Sequence, residues 1–90
     1  MTIDHCIDEL KGLGVTSIKK YHEENSNGAK VEYYQAFFQN GDIFKLINQI
    51  YSKLATPPNE LRKTGNAVNI WFESASYNLG IEIICGRAGL

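Results

Sequence analysis

From Val68 to Cys85 apolar and polar positions alternate. Val68, Ile70 and Phe72 interleave with Asn69, Trp71 and Glu73, and after Tyr77-Asn78-Leu79-Gly80, which reads as a turn, Ile81, Ile83 and Cys85 interleave with Glu82 and Ile84. Period-two patterning on both sides of a turn predicts an antiparallel hairpin with one face buried.

Upstream the period changes. Ile3, Cys6, Ile7 and Leu10 recur at i, i+3, i+4 and i+7, which predicts a first helix with one apolar stripe. Thr2 suits its N-cap, Asp4 complements the dipole in its first turn, and Gly12 and Gly14 suit its end. Glycines that close a helix are capping residues; a phosphate loop would need them to open one after a strand. Val15 to Glu23 is predicted as a strand interrupted by Lys19-Lys20, so that Val15, Ile18 and Tyr21 do not share a face. A bulge or a charged edge position accounts for that break.

Asn25-Ser26-Asn27-Gly28 is a turn signal, because Asn and Gly tolerate positive φ. Ala29 to Gln39 follows as the longest strand, with Ala29, Val31, Tyr33 and Phe37 expected on the buried face and Lys30, Glu32, Tyr34, Ala36 and Phe38 on the other. Asn40-Gly41 ends it and Asp42 caps a second helix. Ile43, Phe44, Leu46, Ile47, Ile50, Tyr51 and Leu54 give that helix a broad apolar face, and Pro57 is expected to end it by excluding Thr56 from helical space. Thr56 to Asn66 reads as a long connection with one short helical turn at Pro57-Pro58-Asn59-Glu60, and residues 86 to 90 as a loose tail.

These elements predict an α+β fold. It is a two-layer sandwich of order αββαββ, with a four-stranded, mostly antiparallel sheet and two helices on one face. Ninety residues suit a single domain spanning 1–90, long enough to bury a core unaided.

Charge narrows the choice of partner. The formal net charge is −1, and the basic residues are scattered rather than striped, so the footprint of a duplex binder is missing. No basic region followed by an apolar run opens the chain and no apolar run approaches 18 residues, so neither a secretory signal nor a membrane span is expected and a cytoplasmic location is. Cys6 and Cys85 are far apart and form no Cys-x-x-Cys pair; buried free thiols are expected, with a bridge between them as the other possibility.

Candidate chemistry is sparse. His5 lies beside an apolar stripe and His22 precedes Glu23-Glu24, a pairing that could in principle serve as a base. No catalytic set, metal-ligand spacing or cofactor motif stands out, so none of the three is expected.

The more informative group is on the sheet. With both helices on one side, alternation leaves Tyr34, Phe38, Trp71 and Ile84 on the uncovered side, among Lys30, Glu32, Asn69, Glu73 and Glu82. Uncovered sheet faces carry polar side chains, and aromatic residues there mark contact surfaces. If register slips by one residue at a bulge, those rings go inward instead. The expected function is a non-enzymatic protein-binding module that occludes a protein partner or pairs with its own copy, as an inhibitor or immunity-type protein does with a toxin or effector. Single-stranded nucleic acid stacking on the rings is the alternative, opposed by Glu32, Glu73 and Glu82. A small-molecule enzyme using the cleft beside Thr56–Asn66 and His22 is the third.

Overall fold

The computed structural model describes residues 3–74 and 77–86, so the expected Thr2 cap, the side chain of Ile3 and tail residues 87–90 lie outside the described residues. Two helices, α1 (Ile3–Gly12) and α2 (Ile43–Lys53), accompany five strands: β1 (Val15–Ser26), β2 (Ala29–Phe38), β3 (Glu60–Thr64), β4 (Ala67–Glu73) and β5 (Tyr77–Cys85).

The helices follow their sequence signals. In α1, Cys6 and Leu10 are buried, and Leu13 and Gly14 donate to the carbonyls of Leu10 and Lys11, drawing the last turn tight. In α2, Asp42 Oδ1 accepts from the Lys45 amide at 3.0 Å, as an N-cap should. The helix ends earlier than Pro57 requires. Leu54 already adopts an extended conformation and buries its side chain. Its apolar face is also narrower than expected: Leu46 and Ile50 are buried, whereas Phe44 and Tyr51 are 66% and 59% exposed. Neither helix is long and apolar enough to cross a membrane.

The β1–β2 hairpin turns at Asn27-Gly28, both with positive φ, the geometry that fits the strand twist. Its register shifts between Thr16 and Lys19 and again between Lys20 and His22, the irregularity anticipated from Lys19-Lys20. In β4 and β5 the expected antiparallel pairing holds, with Ile70 opposite Ile81. Tyr77 to Gly80, however, belong to β5 rather than to a turn: Asn78 pairs with Glu73, and the Ser74 amide donates to the Tyr77 carbonyl.

Two features of the sheet correct the expected four-stranded, mostly antiparallel arrangement. First, the Thr56–Asn66 connection contains β3, which pairs antiparallel with β4; no helical turn opens there. Glu60, Arg62 and Lys63 give β3 little apolar alternation, and that same charge protects an edge strand from further pairing. Second, β2 and β5 are parallel neighbours, so the order is β1-β2-β5-β4-β3 and the sheet is mixed. The long passage through α2, β3 and β4 is the crossover that a parallel pair needs.

That central pair sets which side of β2 is buried. Tyr34, Ala36 and Phe38 lie opposite Ile81, Ile83 and Cys85, and with Val68, Ile70 and Phe72 of β4 they face the helices. Phe38 is 2% exposed and Tyr34 packs half-buried against the same core. The expected placement of Tyr34 and Phe38 on the uncovered side is therefore reversed. Both sides of β2 are nearly equal in apolar content, so its own pattern does not choose between them.

Among the described residues one buried side chain is charged. Glu32 is 3% exposed, yet it accepts from Lys30 Nζ at 2.9 Å and from the Tyr34 hydroxyl at 2.9 Å. Burial pushes its carboxyl up, but the two donors outweigh burial and hold it below the usual carboxylate range. Tyr34 is correspondingly pushed up to about 12, by burial first and by Glu32 second. Because the folded pKa of Glu32 is depressed, its contribution is full above the ordinary glutamate range and is lost as pH falls through the folded value. Thermal unfolding should therefore weaken across that acid window, and Glu32→Gln should flatten part of the fall. An unchanged acid limb in the variant would remove Glu32 as a contributor. Cys6 and Cys85 are buried and unbonded, and burial, with Glu9 second, pushes the Cys6 thiol up to about 12.

Candidate binding face on the open sheet

The side of the sheet away from the helices is organised in rows across the strands. One row runs His22, Tyr33, Gly80, Trp71, Glu60 from the β1 edge to the β3 edge. The next runs Lys19, Gln35, Glu82, Asn69, Arg62, and beyond it lie Thr16, Phe37, Ile84, Ala67 and Thr64. The shift between Lys20 and His22 leaves Tyr21 as the extra residue, and its ring centre lies 6.1 Å from that of Tyr33, which places it on this side too.

Gly80 is the hinge of the arrangement. A Cβ there would lie 2.9 Å from Tyr33 Cδ1 and 3.4 Å from Trp71 Cε3, so only glycine lets both rings close over the strand. The Tyr33 and Trp71 ring centres are 6.2 Å apart and tilted by 33°, and the His22 ring lies 5.5 Å from Tyr33 on the other side. Gly80→Ala should push the Tyr33 ring aside and cost about 1–3 kcal/mol of stability, the scale of an overpacked site. Thermal melts check this, and Tyr33→Ala in the same chain should recover part of the loss. A neutral Gly80→Ala would mean the rings do not depend on the bare strand.

Beside the rings the sheet opens into a hollow of about 380 Å³, lined by Tyr21, Tyr33, Trp71, Arg62, Asn69 and Glu82 among others. Gln35 donates to Glu82 Oε1 at 2.9 Å, and Arg62 pairs with Glu60 at 2.6 Å. At its far side Trp71 Nε1 donates to Glu73 Oε2 at 3.3 Å, which fixes the indole edge. The Tyr21 phenol is pushed up, by burial first and by the nearby Glu82 carboxylate second. The hollow thus joins aromatic walls to two carboxylates, Glu60 and Glu82, and the Arg62 guanidinium, and holds no histidine or cysteine in its lining.

Of the four side chains expected on this side, Trp71 and Ile84 are present, two rows apart, and Tyr34 and Phe38 are not. Tyr33, Phe37 and Tyr21 take their place. The signal for Tyr33 was Gly80 itself, since a glycine within a strand marks the close approach of another group.

The histidines are dispersed. His22 Nε2 lies 3.2 Å from Glu24 Oε2 on the exposed β1 edge, and His5 lies 3.7 Å from Glu9 Oε1 on α1. The hollow reaches from Tyr21 of β1 to Glu60, Arg62 and Thr64 in the Thr56–Asn66 segment, and His22 is not among the residues that line it. Among the described residues no group of three His, Cys, Asp or Glu side chains converges as metal ligands would. Compared with known protein families, with curated proteins and with solved structures, this chain matches none.

Proposed function

We propose that this chain is a non-enzymatic, cytoplasmic binding protein that occludes a site on a protein partner with its open sheet face, in the manner of an inhibitor or immunity-type protein acting on a toxin or effector. The observation that carries this reading is the pair Tyr33–Trp71, closed over Gly80 at the centre of the face opposite α1 and α2. Rigid aromatic side chains at the middle of a surface, with polar groups around them, are what binding hot spots are made of. The same rings would stack on single-stranded bases, but Glu60, Glu73 and Glu82 surround them and repel phosphate.

The test is affinity capture from the native host with three baits: the wild type, Trp71→Ala and Tyr51→Ala, the last on the exposed side of α2. A partner kept by the wild type and Tyr51→Ala but lost with Trp71→Ala is the expected result. Capture indifferent to Trp71, or light scattering that shows this face closed by a second copy, would overturn occlusion of a foreign protein.

A further inference from the structure

We infer that the hollow beside Gly80 receives an arginine side chain of the partner, its guanidinium stacked on Tyr33 and Trp71 and paired with Glu82. This rests on the occluding role proposed for the open face and names the group that the face would recognise.

Charge complementarity is the first argument. Glu23, Glu24, Glu32 and Glu60 each have a basic partner: Lys20 and Lys30 for Glu23, His22 for Glu24, Lys30 for Glu32 and Arg62 for Glu60. Glu82 has none among the described residues. Its Oε1 accepts from the neutral Gln35 amide, which steadies the carboxylate without neutralising it. A negative group held in place in a half-covered hollow attracts a cation more strongly than one moving freely in water.

The walls are the second argument. Tyr21, Tyr33 and Trp71 all line the same space, and the faces of aromatic rings attract cations. The chain's own Arg62 lines that space as well, but it is paired with Glu60 at 2.6 Å and leaves Glu82 without a cation. Arginine fits better than lysine for a geometric reason. A planar guanidinium can lie against a ring and still direct its edge N–H groups at a carboxylate, whereas an ammonium is a point charge.

Trp71 is the sole tryptophan, so its indole N–H resonance reports the site directly. The probes are N-acetyl-arginine methylamide, the citrulline counterpart of the same shape without charge, and choline. The arginine amide should shift the indole signal saturably in the millimolar range, with citrulline weaker by about tenfold or more. Glu82→Gln retains an acceptor for Gln35 and should also weaken arginine binding by about tenfold. Equal binding of citrulline, indifference to Glu82→Gln, tighter binding of choline, or no saturable shift in the folded wild type would each overturn the assignment. The two proposals fail separately. A captured partner that needs Trp71 but tolerates Glu82→Gln leaves occlusion standing and removes the arginine. Arginine-amide binding without any Trp71-dependent partner keeps the site and removes the occlusion.

Discussion

Phe38→Ala should destabilise the protein by about 3–5 kcal/mol, the cost of emptying a buried aromatic site, whereas Phe37→Ala should cost about 1 kcal/mol, the scale of a cross-strand pair on an open face. The two residues are adjacent and of the same type, so helix-like or strand-like propensity cancels between them. What differs is the direction of the side chain. Phe38 lies opposite Cys85 and joins the core under the helices, and Phe37 lies opposite Ile84 on the uncovered side. A domain of this length has about 5–15 kcal/mol in total, so the first variant consumes a large share of it. Urea unfolding midpoints measure both changes. Equal costs, or the larger cost at Phe37, would return β2 to the orientation first expected, with Tyr34 and Phe38 on the uncovered side.

Trp71→Ala should leave the fold intact and weaken partner binding by about 2 kcal/mol or more, the threshold of a hot spot. Trp71 is half-buried, yet what covers it is other open-face groups: Gly80 beneath, Tyr33 beside it and Glu73 at its indole N–H. Removing it opens no cavity beneath the helices. Titration calorimetry against the captured partner, with far-UV circular dichroism as the check on folding, separates the two effects. Unfolding of the variant would place the indole among the structural residues and leave the open face without its central anchor.

These predictions fall where local pattern and long-range pairing part company. α1 and α2 were legible because a helical stripe is a local property: Cys6 and Leu10, or Leu46 and Ile50, share a face whatever lies nearby. The Asn27-Gly28 turn and the antiparallel pairing of β4 with β5 were legible for the same reason, although the turn expected at Tyr77–Gly80 is strand. β3 was not, since Glu60-Leu61-Arg62-Lys63-Thr64 has one apolar residue and owes its extended form to the neighbouring β4. The candidate site was half legible. Trp71 and Ile84 stood on the uncovered side as their alternation with the strongly apolar Val68, Ile70, Ile81 and Ile83 required. Tyr34 and Phe38 did not, because β2 carries apolar residues on both sides.

The order of residues was sufficient for both helices, for four of the five strands, for the α+β character and for an uncovered sheet surface bearing aromatic rings, because all of these depend on spacing along a few turns or strands. The parallel contact between β2 and β5 settled the remainder, namely which tyrosine and which phenylalanine look outward and that Tyr33 meets Trp71 over Gly80. A strand with two greasy sides is free to take either direction until a one-sided neighbour buries one of them, and that neighbour, β5, pairs with it from 47 residues further along the chain.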